Sequence, residues 1–177
     1  TRPILPAQVA IVVKIGSSMT KEMIRTGELH HLAEQIADLR GQGMRSIVVC
    51  SGAIALGREA VQDNELEASL AAAIGQPILM DSWRQALRAH GLSAMQFIVT
   101  EDDLEDKNRI GDRFNKAMKV GVPILNANDA MVHDRTQQGL SGNNDSLAKY
   151  AGEAVGARTL VMLTNTHGVL DRDEQRI

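Results

Sequence analysis

Residues 122–129 read Val-Pro-Ile-Leu-Asn-Ala-Asn-Asp, an apolar segment that ends in a cluster of amides and a carboxylate. A second polar cluster, Gly-Asn-Asn-Asp at 142–145, opens the apolar helical pattern of residues 145–155. A short continuous apolar run bounded by polar residues is typical of a strand buried on both faces. The two segments therefore predict a strand and a helix whose polar ends face one small polar ligand from neighbouring loops.

Four further segments share this apolar strand character, at residues 9–13, 46–50, 93–100 and 159–163. Helical patterns alternate with them, at 28–40, 65–74, 78–90, 108–120 and 145–155, the last with Asn144 or Asp145 as its N-cap. Strands that alternate with helices favour a parallel sheet covered by helices on both faces. We therefore expect an α/β fold, a three-layer α/β/α sandwich with a mostly parallel sheet.

Composition and charge narrow the class of protein. The chain has 177 residues, 44% hydrophobic and only 2% aromatic, and its net charge is −3. These values suit one globular domain and argue against a nucleic-acid binder, which usually has a basic face and stacking aromatics. No apolar run reaches the roughly 18–20 residues of a membrane span, and residues 1–8 lack the apolar core of a signal peptide. A cytoplasmic enzyme or binding module is expected.

Small polar residues follow most of the predicted strands. They are Lys14, Gly16, Ser17 and Ser18 after the first strand, Ser51, Gly52 and Ala53 after the second, Asn126, Asn128 and Asp129 after the fourth, and Thr164 and Asn165 after the fifth. In open α/β sheets, functional residues gather at the carboxyl ends of the strands. If the sheet is parallel, all these residues share one edge, and this convergence predicts a site there.

The first two of these turns suit anionic groups. Lys14 stands beside a glycine and two hydroxyls, a combination that can hold phosphate oxygens, although its order differs from a Walker A loop. Ser51-Gly52-Ala53 allows close backbone approach before a helix, which suits a carboxylate or phosphate. It is not a hydrolase nucleophile elbow, because Val49 and Ala53 occupy the glycine positions. The alternatives are a solvent-facing lysine and a plain strand-to-helix turn.

Other reactive side chains offer weaker candidates. Cys50 lies in a predicted strand without a cationic neighbour, so we interpret it as a small buried hydrophobe rather than a nucleophile. The five histidines have no metal-ligand spacing, and a single cysteine excludes an internal disulfide and a cysteine-based zinc site. Asp129 and Asp145 could hold a magnesium ion through water or phosphate oxygens, or could serve only as capping and turn residues.

Six segments, in this order, resemble the amino acid kinase family, most closely its glutamate 5-kinase branch. Residues 12–18 are similar to the opening strand and phosphate loop of that family, and residues 51–57 to its serine–glycine–alanine substrate loop. Residues 72–80 are similar to its alanine–glycine–glutamine segment, and residues 123–130 to its proline-led strand that ends in asparagine–aspartate. Residues 144–148 and 163–169 resemble the next helix start and the last strand end. The resemblance covers nearly the whole chain.

The resemblance implies ATP-dependent phosphorylation of the γ-carboxylate of L-glutamate, the first step of proline biosynthesis. It implies that Lys14 holds the transferring phosphate and that Asp145 orients the surrounding network, with Asp129 paired to the substrate ammonium. It further assigns glutamate binding to Ser51, Gly52, Ala53, Asn128, Asp129 and Asn144, and nucleotide binding to Lys14, Gly16, Ser17, Ser18, Thr164 and Asn165. ATP and Mg²⁺ are the expected cofactors, without a dedicated protein metal site. The resemblance also implies a homo-oligomer, and proline as a feedback inhibitor.

The chain departs from the family pattern in three positions and in extent. Asn143 and Asn165 stand where that branch usually carries aspartates, and Leu170 replaces a usual tyrosine. Residues 1–177 correspond to the substrate-binding lobe and the start of the nucleotide lobe, so the domain is expected to be truncated, without the glycine-rich loop and second lysine of the nucleotide lobe. The alternatives are a non-catalytic or degenerate glutamate- or proline-binding module, and an amino acid kinase with a different acid substrate.

Overall fold

The structure of the protein is a computed structural model that describes residues 10–131 and 144–165. The predicted loop before Asn144, with Asn143, and the C-terminal residues from 166, with Leu170, lie outside the described residues. The strands are β1 (Ala10–Ile15), β2 (Arg45–Cys50), β3 (Ala94–Val99), β4 (Val122–Ala127) and β5 (Thr159–Leu163). They pair in the order β3-β4-β2-β1-β5, and every pair is parallel. The predicted fold class is confirmed.

Helices cover both faces of the sheet. They are α1 (Ser17–Thr26), α2 (Glu28–Gly41), α3 (Ala53–Val61), α4 (Ala68–Arg88), α5 (Lys107–Val120) and α6 (Asn144–Val155), with a short 3₁₀ helix at Asp102–Leu104. One core cluster joins the sheet to α1–α4, and a second joins the opposite face to α5 and α6. The result is the predicted three-layer sandwich. None of the helices in this described part has the length and apolarity needed to cross a membrane.

The side chains of β1 alternate between these two cores. Ile11, Val13 and Ile15 pack towards α1–α4, whereas Val12 packs towards α5 and α6. Successive strand side chains point to opposite faces, so Lys14 belongs to the face that α6 covers. The predicted strand ended at residue 13, but the pairing with β2 and β5 continues through Ile15. Lys14 is therefore held inside the sheet, near the carboxyl end of a central strand.

The prediction of two helices at 65–74 and 78–90 is wrong, because α4 runs unbroken through Pro77. A proline inside a helix removes one backbone hydrogen bond. Here α4 packs closely against α3, and a Cβ at Gly75 would lie only 1.7 Å from the carbonyl oxygen of Ala53. The helix also buries Leu79 and Trp83 completely. This burial outweighs the lost hydrogen bond, an effect that local sequence did not reveal.

Helix α1 was not predicted either. Its sequence is mostly polar, and only Thr20 and Met23 are buried. Gly27, with φ of 81°, ends it and begins α2. A glycine tolerates this left-handed conformation at little cost, which allows the sharp turn between the two helices. Helix α1 matters for the site because its first turn directly follows β1.

Arg40 of α2 fixes the approach to β4. Its guanidinium donates to the carbonyl oxygens of Met118 at 3.1 Å, Lys119 at 3.0 Å and Gly121 at 3.3 Å. These carbonyls belong to the C-terminal end of α5, where intrahelical donors are missing. The arginine thereby satisfies several acceptors at once and holds the chain where it enters β4.

The chain leaves neighbouring strands β2 and β4 in opposite directions. After β2 it enters α3, on the first face, and α6, the helix that lies between β4 and β5 in the chain, covers the second face. Divergence of this kind opens a crevice at the carboxyl ends of the strands, where open α/β folds bind ligands. The predicted polar residues follow the strands at this edge of the sheet.

Candidate active site

Lys14 and Asp145 meet at the start of α6. The Nζ atom of Lys14 lies 2.6 Å from Oδ1 of Asp145, and the lysine side chain is only 16% exposed, whereas the aspartate is 53% exposed. The ammonium also lies close to Gly16, at 3.8 Å from the position of a Cβ there. Asp145 thus holds a largely buried cation beside the first turn of α1. The structure brings together the two residues predicted to be catalytic.

Ser51 and Asn144 form a second link between the sheet and α6. The side-chain amide of Asn144 donates to the Ser51 hydroxyl, while the Ser51 backbone N–H donates to the carbonyl of Ile15 at 3.1 Å. The Oδ1 atom of Asn144 is buried and accepts no hydrogen bond from a described residue. A buried acceptor without a donor costs free energy, so this oxygen is suited to receive a donor from a ligand.

Two helices present free N-termini to this edge. Gly16 is the N-cap of α1 and Gly52 the N-cap of α3, and neither helix end has a side-chain cap. Gly52 has φ of 117°, and a Cβ there would approach Thr20 to 3.3 Å. Uncapped helix N-termini offer backbone N–H groups and a positive partial charge to anions. The serines of α1, Ser17 and Ser18, are exposed in its first turn.

The turn after β4 holds Asn128 and Asp129, both half-buried. The Asn128 N–H donates to the carbonyl of Val99 at 3.0 Å, and its own carbonyl accepts from Met131 at 3.2 Å. Val99 ends β3, so the turn is tied to the neighbouring strand. The backbone position of Asp129 is therefore defined by the sheet edge, at the side of the crevice opposite β1.

The remaining predicted residues differ in exposure, because Thr164 and Asn165 lie at the surface and Ala53 is buried. Thr164 and Asn165 directly follow β5 and are exposed. Ala53 is 1% exposed and its methyl group packs in the α1–α4 core. Only the backbone of Ala53, at the start of α3, therefore remains available to a ligand.

Asn126, one of the polar residues predicted after the fourth strand, and Gln76, which was not selected as a site residue, also border the site. Asn126, 1% exposed, donates through Nδ2 to Oε1 of Gln76 at 2.7 Å. Gln76 and Ala130 line a groove of about 510 Å³ between α4 and β3, beside the β4 turn. For Gln76 the sequence signal was its place in the alanine–glycine–glutamine segment before Pro77, which does not by itself indicate a contact with β4.

Cys50 is inert. The thiol is fully buried, and burial raises its pKa to about 12. A reactive cysteine needs an accessible thiolate. The interpretation of Cys50 as a small core residue is confirmed.

Within residues 10–131 and 144–165, no group of three or more His, Cys, Asp or Glu side chains is arranged to hold a metal ion. At the crevice the charged residues that carry the geometry are Lys14 and Asp145.

The sequence is similar to those of known proteins. The model of the amino acid kinase family matches residues 10–177. The chain is 35% identical to a glutamate 5-kinase of Novosphingobium aromaticivorans, 37% to one of Ruegeria sp. and 35% to one of Vibrio vulnificus. Each match covers 94% of this chain but only 47%, 50% and 46% of the respective relative. The chain therefore spans about half the length of the curated relatives that it matches.

Proposed function

The chain belongs to the amino acid kinase family, and on that premise we propose that it carries the acid-substrate site of a glutamate 5-kinase. The proposed reaction transfers the γ-phosphoryl group of ATP to the γ-carboxylate of L-glutamate, giving glutamyl 5-phosphate for proline biosynthesis. Relatives named glutamate 5-kinase support the choice of substrate.

The observation that carries the proposal is the position of the Lys14 ammonium, 2.6 Å from Asp145 and beside the uncapped start of α1. Phosphoryl transfer depends on positioning and on neutralising charge rather than on covalent catalysis by the protein. Lys14 is held where it can contact the transferring phosphoryl oxygens, and Asp145 orients it. No protein base is required, because the γ-carboxylate is already ionised at neutral pH.

Glutamate would lie between the β2 and β4 turns. We assign its carboxylates to the Ser51 hydroxyl and the backbone N–H groups at Gly52 and Ala53, since helix N-termini favour anions. The buried Oδ1 of Asn144 accepts no hydrogen bond from a described residue, and it is suited to accept one from the substrate ammonium. The Asp129 carboxylate is the second acceptor that we assign to this ammonium. Asn128 supports that turn through its backbone bond to Val99.

The nucleotide would approach from the β5 side. Strand β5 pairs with β1 up to Ile15 and Leu163, so Thr164 and Asn165 leave the sheet next to the Gly16–Ser18 turn. Lys14, Ser17 and Ser18 offer the donors that phosphate oxygens need. Mg²⁺ suits such a site through phosphate oxygens and water, its usual ligands, and when bound it neutralises phosphate charge.

The proposal also covers the setting of the enzyme. By family membership we expect a cytoplasmic homo-oligomer, with proline as an inhibitor of glutamate use. Support comes from the family match and the names of the relatives alone. Sedimentation of the purified protein and a proline titration against glutamate turnover would test these two expectations.

The test of the function is ATP-dependent formation of γ-glutamyl hydroxamate by the purified protein, with aspartate and N-acetylglutamate as alternative acids, alongside calorimetry with glutamate and no ATP. We expect hydroxamate with glutamate and ATP only. Glutamate or proline binding without turnover would favour a non-catalytic binding module. Turnover of another acid would reassign the substrate, and no binding at all would refute the proposal.

A further inference from the structure

Asn126 has a buried polar side chain and lies in β4, the strand that directly precedes the Asn128–Asp129 turn. It is 1% exposed and lies on the face of the sheet that α4 covers, opposite Ile98 in the pairing with β3. Burying a side-chain amide is unfavourable unless its donors and acceptors are satisfied. The hydrogen bonds of Asn126 therefore fix how this side chain must point.

Both ends of the Asn126 amide are engaged. Its Oδ1 atom accepts the N–H of Ala127 at 2.9 Å, and its Nδ2 donates to Oε1 of Gln76 at 2.7 Å. The first bond ties down the last peptide of β4, immediately before Asn128. The second bond holds the amide plane in the orientation that makes the first bond possible. Gln76 thereby acts on the start of the turn from a helix 50 residues away in sequence.

The same point of α4 also touches the β2 turn. Gly75, directly before Gln76, approaches α3 so closely that a Cβ would lie 1.7 Å from the carbonyl oxygen of Ala53. Ala53 follows Ser51 and Gly52 at the start of α3. Two consecutive residues of one helix thus contact Asn126, near the end of β4, and Ala53, at the start of α3, each next to one of the two turns.

We propose that Gln76 is a positioning residue for the amino-acid substrate, acting through Asn126 on the Asn128–Asp129 turn. The inference rests on the proposed function, since it concerns the affinity of that site for glutamate. Gln76 itself does not need to touch the substrate. Its role is to keep the β4 turn at the distance from the Ser51 turn that a short dicarboxylic amino acid can span.

The experiment compares two substitutions of similar size. Gln76→Met removes the acceptor for Asn126, whereas Gln76→Glu keeps an oxygen at that position. We expect Gln76→Met to weaken glutamate binding by about 5- to 20-fold, in line with the loss of one buried hydrogen bond. Gln76→Glu should stay within about threefold of the natural protein. Calorimetry measures the dissociation constant of each variant for glutamate. The same measurement with ATP is the reference, and we expect the affinity for ATP to stay unchanged.

Gln85→Met is the matched control. Gln85 lies on the same helix and donates to Asp81 at 2.5 Å, but on the exposed surface. We expect glutamate binding by this variant to be unchanged. Thermal unfolding of all three variants separates positioning from folding, because a merely structural role would lower the Tm of Gln76→Met and leave glutamate affinity intact.

The results distinguish a failure of this inference from a failure of the proposed function. Natural affinity in Gln76→Met, equal losses in Gln76→Met and Gln76→Glu, or a parallel loss of ATP affinity would each overturn the inference while leaving the proposed function standing. Absence of glutamate binding by the natural protein would overturn both. Selective loss in Gln76→Met, with recovery in Gln76→Glu, would support the inference.

Discussion

Lys14 is a charged residue within an otherwise apolar strand, and its ion pair with Asp145 joins the sheet to α6. The pair is partly exposed, so its contribution to stability is small, about 1 kcal/mol or less. Under the proposed function, the pair serves to hold a cation at the carboxyl ends of the strands.

We expect Lys14→Met to lower phosphoryl transfer at least about 100-fold, because it removes a donor aimed at developing charge. Glutamate binding should change less than about threefold, since Lys14 is assigned to the phosphoryl group and not to the amino acid. Hydroxamate kinetics and calorimetry measure the two effects. Lys21→Met is the control, as Lys21 pairs with Glu59 at 2.8 Å on the exposed surface. Substantial residual turnover in Lys14→Met would remove this residue from the mechanism.

Cys50 predicts a pH dependence of stability. Burial raises its thiol pKa from 9.0 to about 12, so above pH 9 the unfolded chain loses a proton that the folded protein keeps. The unfolded state then binds fewer protons, and the free energy of unfolding falls as pH rises. The contribution of the buried thiol is complete below about pH 9 and is lost as pH approaches 12.

Comparison with Cys50→Ala isolates this effect from other alkaline titrations. Urea unfolding between pH 7.5 and 10.5 should show a steeper decline in the natural protein, by up to about 1.4 kcal/mol per pH unit. Cys50→Ala should start lower, because it leaves a small cavity, and decline less. Parallel pH profiles for the two proteins would contradict the assignment.

At the scale of elements, the contact between α3 and α4 depends on glycines. A Cβ at Gly75 would lie 1.7 Å from Ala53 O and 2.6 Å from Gly57 N, and neither backbone atom can rotate away. The two helices approach closely because these positions lack side chains. The close approach also keeps α4 continuous through Pro77 and places Gln76 against β4.

Gly75→Ala should therefore destabilise the protein by about 1–3 kcal/mol or more, despite the higher helix propensity of alanine. Gly152→Ala in α6 is a matched control, because a Cβ there meets only ordinary contacts at 3.6 and 3.8 Å. We expect that variant to gain up to about 1 kcal/mol. Thermal and urea unfolding measure both. Equal effects of the two substitutions would show that helix packing does not depend on Gly75.

For residues 1–177 taken on their own, stability should vary across the sheet. Strands β1 and β2 lie inside the sheet and are almost fully buried, whereas β5 pairs with β1 and has exposed apolar side chains. Leu160, Val161 and Met162 are 42%, 38% and 47% exposed. Regions with few buried contacts open at lower free energy.

Native-state hydrogen exchange should therefore show the amides of β5 exchanging through local opening, well before those of β1 and β2. The amides of β2 should exchange only with global unfolding, since both neighbours of that strand are present. Peptide-resolved mass spectrometry in low urea can separate the two classes. Equal protection of β5 and β2 would mean that β5 is covered in solution.

The sequence alone determined the elements whose signals are local. Apolar runs predicted all five strands, and 3.6-residue patterns predicted α2, α5 and α6, because burial on both faces or along one stripe imposes a period on neighbouring residues. Polar residues at strand ends predicted which side chains share one edge, since parallel strands end together. Lys14 and Ser51 were selected in this way, and Asn144 and Asp145 as the polar start of a helix. The contacts between the two pairs agree with both selections.

Only the tertiary structure decided the rest, because it depends on residues distant in the chain. The continuity of α4 through Pro77 follows from packing against α3, and the role of Gln76 follows from Asn126, 50 residues away. Helix α1 is mostly polar, and it packs against α2 and against α3, which is distant from it in the chain. Sequence specifies which chemical groups are available, whereas the close approach of backbones and the pairing of buried amides are fixed by three-dimensional packing.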